Sequence, residues 1–372
     1  MLFLPIVILG QNNENDSKKI ENRIWAFLHA NKNTLLGKDN NGLKKDSIEI
    51  FTDLQKELSS LENLNSKILN DFKKSSIAYK NGKIEDINYI EKNIYDNSAE
   101  FIVSVSYKFN FNTKTGMPPF TKYDEIRSFN FIKDKNRWVL KSQKLHIDGL
   151  VKNPSEVESN TERIDGIPAQ ITGVANFNTN INENYFAFNN QKNNGPNVDN
   201  NFPPIYYYDP VAASKYAIKY AKSGNTSSYR TYGKDCTNFV SQCLAAGGWN
   251  ETGSTINRTQ SDVWFYSSLG EGFTSYTWAG ANNHYQFHKV STRSTMGTST
   301  GQLRLGDILQ VDFHSDGIVD HSVIVSTEYA SGADFVSYHS TNTLDKPLSQ
   351  FISDCLNSYP LSKFYVWLVK RN

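Results

Sequence analysis

The sequence predicts an α+β protein with two domains. The chain has 372 residues, which is long enough for two domains that each bury a core. Segments in which apolar residues recur at helical spacing precede segments in which apolar and polar residues alternate, the pattern of half-buried strands. This order occurs before residue 150 and again after residue 204. Helices followed by antiparallel strands are typical of the α+β class.

The charge balance argues against a nucleic-acid partner. Lys and Arg number 39, Asp and Glu number 38, and the net charge is +1. A chain without a basic surplus creates no long-range field that attracts nucleic acid or an anionic membrane. Aromatic residues make up 13% of the chain, which favours a folded protein with a substantial core.

The first ten residues, MLFLPIVILG, are almost wholly apolar, and polar residues follow abruptly. Ten residues are too few to cross a bilayer as a helix, so no integral membrane span is expected. The run resembles the apolar part of a secretory signal peptide, although a buried N-terminal strand is the alternative. We expect residues 1–19 to be a signal-like segment with a spacer, and the protein to be secreted or held at the cell wall.

Residues 20–150 predict an N-terminal domain of helices and an antiparallel sheet. The stretch 20–95 is expected to be mostly helical, because apolar residues recur there at helical spacing: Ile48, Phe51, Leu54, Leu58, Leu61 and Leu64. Residues 100–111 alternate as a strand does, and 126–147 contain two such runs around KDKNR, which predicts a hairpin.

Residues 151–204 have the composition of a linker, rich in Asn, Pro and Gly. The second domain, 205–372, opens with Asp209 as helix N-cap and Pro210 in the first turn. Val211, Tyr216, Ala217 and Tyr220 are expected to share one buried face. A second helix is predicted within 232–248. Strands are predicted in GDILQVDF, HSVIVSTEY, ADFVSYHS and KFYVWLVKRN.

The chain has three cysteines, too few for a disulfide framework or for a zinc site made of cysteines alone. Cys243 and Cys355 could pair outside the cell, or both could be buried free thiols, and the second possibility is favoured. In either case Cys236 is left with a free thiol.

Cys236 is the candidate nucleophile. Gly233 lets the chain turn and Asp235 can cap the next helix, so Cys236 falls in its first turn. Unpaired backbone N–H groups and the helix dipole there favour a thiolate, and the N–H of Cys236 can stabilise an oxyanion. The alternative is that Cys236 only fills the core, as Cys243 is expected to do two turns later.

A thiolate nucleophile needs a base, usually histidine. His321 is the candidate, because it begins a strand after a turn and its backbone is then fixed in a sheet. A base also needs an orienting partner. His339, expected roughly opposite His321 on the next strand, is preferred, and Asn342 is the alternative.

Two further histidines, His284 and His288, are four residues apart and would share one helix face. The glutamate that the zinc-protease motif requires is missing, and no third ligand is evident. We therefore expect neither a metal nor a cofactor.

The strings DCTNFVSQCLAAGGW, GDILQVDF, DHSVIVS and SYHSTNTLDKPLS resemble the "putative amidase domain" family of Gram-positive bacteria, over about residues 205–370. This family is related to the NlpC/P60 and CHAP cysteine peptidases and amidases. The resemblance implies a papain-like fold with Cys236 as nucleophile, His321 as base and a polar third residue near His339 or Asn342. It also implies amide bonds of peptidoglycan as substrates, and Tyr232 as a possible oxyanion donor.

The function expected from these observations is a secreted cysteine amidase or peptidase that acts on peptidoglycan or peptides, as a monomer. Alternatives are an acyltransferase and a non-catalytic module that binds the cell wall. Besides the catalytic residues, three residues are expected to contact the substrate or the oxyanion: Tyr232, Asp235 and Trp249. The aromatic residue Trp249 could line a groove, but a place in the core is more usual for such residues.

Overall fold

The computed structural model describes residues 8–38, 40, 55–74, 77–112, 118–149, 208–329 and 333–371. The chain divides into two compact units. The first consists of Met1–Gly149, Thr327–Val336 and Thr341–Ser358, and the second of Leu150–Ser326, Ser337–Ser340 and Tyr359–Asn372. The first unit thus includes two segments from the C-terminal half of the sequence. Helices combined with antiparallel strands confirm the α+β class.

The elements before the predicted linker are α1 (Ile8–Leu35), α2 (Gln55–Lys74), β1 (Tyr79–Ile94), β2 (Ser98–Phe111), β3 (Phe120–Asp134) and β4 (Arg137–His146). The later helices are α3 (Pro210–Tyr220), α4 (Cys236–Ala246), α5 (Tyr276–Ala279), α6 (Ala281–Val290) and α7 (Leu348–Ser358). The later strands are β5 (Ser294–Met296), β6 (Ile308–Asp312), β7 (His321–Tyr329), β8 (Ala333–Tyr338), β9 (Thr343–Pro347) and β10 (Lys363–Val369).

The first unit is built on antiparallel strands. β2 lies between β1 and β3, and both β4 and β9 pair with β3. Alternate residues of β2 point inward and pack against α1 and α2, as the period of a strand requires. The core of this unit includes Ile24, Phe27, Phe72, Phe101, Val103, Val105, Phe109 and Phe129.

Polar contacts join the late elements β9 and α7 to the rest of the first unit. The Tyr79 hydroxyl donates to Gln350 Oε1 at 2.7 Å, and Gln350 Nε2 donates to the Tyr123 hydroxyl at 3.2 Å. Lys346 Nζ lies 2.5 Å from Asp354 Oδ2, and both side chains are buried. This unit therefore buries charge as well as apolar surface.

The hairpin predicted around KDKNR is confirmed. β3 and β4 are joined by Lys135 and Asn136, whose φ angles are 45° and 67°. Two consecutive left-handed residues make the tight turn whose twist matches antiparallel strands.

The prediction of helix through residue 95 is wrong for residues 79–94, which form β1. Pairing along nearly the whole length of β2 stabilises this strand and outweighs the local sequence pattern. Leu58, Leu61 and Leu64 do lie in a helix, α2. Ile48, Phe51 and Leu54 lie outside the described residues, as does the predicted linker 151–204.

In the second unit β6 lies between β7 and β10, and β5 pairs with the other edge of β10, all antiparallel. Helix α3 begins as predicted, since Asp209 accepts hydrogen bonds from the N–H groups of Val211 and Ala212 at 2.8 and 3.1 Å. The buried face of α3 was partly mispredicted: Ala217 is buried but Val211 is 48% exposed.

Candidate active site

Helix α4 begins at Cys236, so the thiol lies in its first turn as predicted. The N–H groups of a first turn have no acceptor within the helix, and together with the helix dipole they favour negative charge on the sulfur. Four apolar residues of α4 are fully buried: Phe239, Val240, Cys243 and Leu244.

The polar side chains of α4 are also buried, and each has a specific partner. The Trp278 indole donates to Asn238 Oδ1 at 2.8 Å, and the Ser241 hydroxyl donates to the Trp278 carbonyl at 2.8 Å. The Tyr216 hydroxyl donates to Gln242 Oε1 at 2.7 Å. Buried polar groups that are satisfied in this way fix one orientation of the helix.

His321 begins β7, where the prediction places it, and its side chain is fully buried. It is the register partner of Val311 on β6. Its ring stacks on Phe313, with centroids 6.0 Å apart, and meets the ring of Tyr338 edge-on at 5.1 Å. The sheet and these two rings hold the imidazole in place.

The structure brings the predicted nucleophile and base together. Cys236 Sγ and a ring nitrogen of His321 lie within 4.8 Å of each other. Cys236 is 3% exposed and His321 is 0% exposed. The sulfur also contacts the Thr237 hydroxyl at 3.7 Å and the Asp320 carbonyl at 4.0 Å. A thiol and an imidazole at this separation can exchange a proton after a small rotation of either side chain.

Sequence reasoning missed the residues that fix this geometry. The hydroxyls of Thr237 and Ser322 lie 2.9 Å apart, so the residue after the cysteine bonds to the residue after the histidine. Gln310 Nε2 donates to Ser322 Oγ at 2.9 Å, and the Trp367 indole donates to Gln310 Oε1 at 2.9 Å. The available signal was the presence of hydroxyl residues directly after Cys236 and His321 in otherwise apolar elements.

Asp235 does not cap α4 with its side chain, contrary to the prediction. Its Oδ1 accepts hydrogen bonds from the Tyr232 N–H at 2.9 Å and from Asn238 Nδ2 at 2.8 Å. Its Oδ2 lies 2.6 Å from His339 Nδ1. The carboxylate therefore fixes the conformation of the loop before α4 by bonding to the backbone of Tyr232 and to two side chains.

His339 has a role other than the expected one of orienting His321. Its Nδ1 faces Asp235 and its Nε2 faces the Tyr220 carbonyl at 3.1 Å, so two other acceptors use both ring nitrogens. The ring stacks on Phe239 with centroids 4.1 Å apart. Asn342, the alternative, belongs to the first unit, where its carbonyl accepts from the Asp124 N–H at 3.2 Å. A catalytic role for either residue stays a prediction.

The other two predicted residues lie in different surroundings. Tyr232 is half-buried in the loop before Cys236, and its hydroxyl accepts a hydrogen bond from Arg230 Nη1 at 3.3 Å. Trp249 is buried and packs edge-to-face on Trp264, with centroids 5.5 Å apart. The Arg293 guanidinium lies 5.2 Å from its ring centre, so Trp249 contributes to the aromatic core of the second unit.

All three cysteines are free thiols in the structure, and no Cys243–Cys355 disulfide is present. Burial raises the pKa of the Cys243 thiol and of the Cys355 thiol well above its ordinary value, because a thiolate is poorly solvated there. Neither thiol is suited to nucleophilic chemistry.

His284 and His288 lie on α6 as the spacing suggested, and both are buried. Their ring centroids are 4.4 Å apart. Among the described residues, no third His, Cys, Asp or Glu side chain completes a metal-ligand group around this pair.

No helix in the described part of the chain is long and apolar enough to cross a membrane.

Comparison with known proteins gives relatives for part of the chain. An uncharacterized protein of Bacillus subtilis, YjcM, is 36% identical over 149 residues, which cover 38% of this chain and 32% of YjcM. A second one, YhbB, also from Bacillus subtilis, is 31% identical over 127 residues, which cover 33% of this chain and 39% of YhbB. The chain thus spans between about a third and two fifths of these relatives. No solved structure gives a significant match.

The family comparison covers the second half of the sequence and contains Cys236, His321 and His339. Residues 207–367 match the model of the family described as "Putative amidase domain", which confirms the predicted resemblance over this part of the chain.

Proposed function

We propose that the protein is a cysteine-dependent amidase or peptidase that hydrolyses amide bonds in peptidoglycan. The observation that carries the proposal is the approach of Cys236 Sγ to a ring nitrogen of His321, within 4.8 Å, at the start of a helix. A thiol at a helix N-terminus beside an imidazole is the arrangement that nucleophilic catalysis requires.

The reaction uses both groups in sequence. His321 takes the thiol proton, and the Cys236 sulfur attacks the amide carbon to give a tetrahedral oxyanion. The C–N bond breaks as the imidazolium returns its proton to the departing amine, which leaves a thioester. Water then attacks the thioester with His321 as base, and this step releases the carboxylic acid and restores the thiol. In this reaction the N–H groups of the first turn of α4 stabilise the oxyanion.

A cysteine at the start of a helix and a histidine at the start of an antiparallel strand are consistent with a papain-like fold of the NlpC/P60 type. Peptidoglycan is proposed because domains related to the resembled family cleave amide bonds in peptidoglycan. The apolar N-terminal run supports export to the cell wall. We also propose that the protein acts as a monomer.

The test is digestion of purified peptidoglycan by the full chain, followed by mass analysis of the soluble fragments. We expect new amines and carboxylic acids in equal numbers, and their position identifies the amide that is cleaved. Cys236→Ala should abolish the release of fragments while its circular dichroism matches that of the parent. Cys355→Ala is the matched control and should keep the activity. Equal digestion by Cys236→Ala and the parent would refute a cysteine mechanism.

Acyl transfer is a second candidate, favoured by the burial of both groups at 3% and 0% exposure. A thioester shielded from water survives long enough to meet an amine other than the one that left. Added glycinamide separates the two reactions. Transfer gives glycinamide adducts in place of free acids, and hydrolysis gives free acids at every glycinamide concentration.

A further inference from the structure

The loop before the nucleophile holds a cation that the proposed chemistry does not use. Arg230 is half-buried, and its guanidinium carbon lies 6.0 Å from the ring centre of Tyr232 and 5.8 Å from that of Tyr266. Two aromatic faces at these distances stabilise a cation and restrict its orientation.

The backbone of Arg230 is fixed on both sides. Its N–H donates to the Tyr266 hydroxyl at 2.8 Å, and its carbonyl accepts from Asn238 Nδ2 at 2.9 Å. The Asn238 side chain also bonds to Asp235, the residue before the nucleophile. Arg230 is therefore anchored to the first turn of the helix that begins at Cys236.

The guanidinium has donors to spare. Arginine has five N–H donors, and Nη1 donates to the Tyr232 hydroxyl at 3.3 Å. Within the described residues no carboxylate lies in ion-pair range of Arg230. The nearby acids are engaged elsewhere: Asp235 by His339, and Glu251 by the N–H of Tyr266 at 3.2 Å.

We propose that Arg230 is a specificity residue that binds a carboxylate of the substrate close to the scissile amide. This inference rests on the proposed function and refines it to acidic peptides as the substrate class. A planar guanidinium with free donors binds a carboxylate through two parallel hydrogen bonds. The rings of Tyr232 and Tyr266 hold the guanidinium in one orientation. The Arg230 side chain therefore loses less conformational entropy when a carboxylate binds.

The chain offers a matched control in Arg258. Its Nη2 donates to the Tyr276 hydroxyl at 3.3 Å, and its guanidinium carbon lies 4.5 Å from that ring centre. Arg258 is also half-buried, but the structure shows no hydrogen bond from it to α4. Replacing Arg258 removes one positive charge and one arginine–tyrosine contact, as replacing Arg230 does, but at a different place in the second unit.

The test measures binding, so it does not depend on turnover. The full chain with Cys236→Ala is titrated by calorimetry with acetyl-Ala-Glu, a dicarboxylate, and with acetyl-Ala-Gln-amide, its neutral counterpart. We expect the dicarboxylate to bind at least tenfold more tightly. Adding Arg230→Gln should reduce this preference to about twofold or less, whereas adding Arg258→Gln should preserve it.

Equal binding of the two peptides, or no binding of either, would overturn the carboxylate site. A preference that survives Arg230→Gln would overturn the assignment to Arg230. Neither result bears on hydrolysis, which the digestion of peptidoglycan by the wild-type chain tests separately. Thermal unfolding of each variant shows whether the fold is retained.

Discussion

His339 Nδ1 lies 2.6 Å from Asp235 Oδ2, and both side chains are buried. The other ring nitrogen faces the Tyr220 carbonyl. The His339 ring thus lies between a carboxylate and a carbonyl, both of which accept hydrogen bonds. It holds in place the carboxylate that directly precedes Cys236.

Replacing His339 with Gln should therefore impair the Cys236 thiolate. Without His339 the Asp235 carboxylate loses its Oδ2 partner and can turn toward the sulfur, where a like charge disfavours a thiolate. We expect the rate of Cys236 alkylation by iodoacetamide at pH 7 to fall about tenfold. The proposed hydrolysis of peptidoglycan should slow in parallel.

The double variant Asp235→Asn with His339→Gln distinguishes this electrostatic role from a structural one. Asparagine keeps the oxygen that accepts from the Tyr232 N–H but has no charge. Part of the alkylation rate lost in His339→Gln should return. If the two substitutions simply add their losses, the His339 ring acts only by packing against Phe239.

The hydrogen bond between Thr237 and Ser322 should couple the nucleophile to the base. Thr237→Val or Ser322→Ala leaves a buried hydroxyl with one partner fewer, which costs about 1–3 kcal/mol of unfolding free energy. A double-mutant cycle in urea should give a coupling energy of about 1 kcal/mol. Losses that are strictly additive would mean that the two hydroxyls do not stabilise each other.

The three thiols should react very differently. Burial raises the pKa of Cys243 and of Cys355 well above its usual value, so both should resist iodoacetamide at pH 7 in the folded protein. Peptide mass analysis should find the label on Cys236, and on all three cysteines once the protein is unfolded in urea. Equal slow labelling of all three in the folded protein would show that Cys236 is an ordinary core thiol.

The histidine pair on α6 should make the second unit sensitive to acid. Burial lowers the pKa of His284 to about 3, and burial together with His284 lowers the pKa of His288 well below its usual value. The unfolded chain takes up these protons from about pH 6.5 downward, so stability falls as the pH decreases from there toward 3. Each histidine contributes a slope of up to about 1.4 kcal/mol per pH unit.

His284→Leu removes one of these groups and keeps apolar volume. Urea unfolding at pH 7 and pH 5 should show a smaller loss of stability on acidification than in the parent. His314→Gln is the control for the loss of an imidazole outside the buried pair, since the His314 side chain is 62% exposed. If His284→Leu and the parent lose the same unfolding free energy between pH 7 and pH 5, the groups that cause the acid sensitivity lie elsewhere.

Local signals in the sequence predicted the parts of the fold that depend on neighbouring residues. Asp209 with Pro210 marks a helix start, and the residues around Lys135 mark a hairpin, because caps and tight turns are decided within a few positions. Neighbouring residues also predicted the helix start at Cys236 and the strand start at His321, although the Asp235 side chain does not supply the expected cap.

The remaining features depend on contacts between distant positions. Asp235 and His339 are 104 residues apart, and β1 is a strand because β2 pairs with it. Hydrophobic periodicity carries no information about such partners, so His339 was expected beside His321 and the pairing of β9 with β3 was not foreseen.

The membership of Thr341–Ser358 in the first unit has a practical consequence for dissecting the protein. A fragment that starts at residue 205 would lose β3, the strand that pairs with β9, and also Tyr79, which binds Gln350 on α7. Such a fragment would expose the unpaired edge of β9 and the Lys346–Asp354 ion pair, which is buried in the full chain. It would therefore tend to aggregate. Residues 205–372 should therefore be expressed together with residues 1–149.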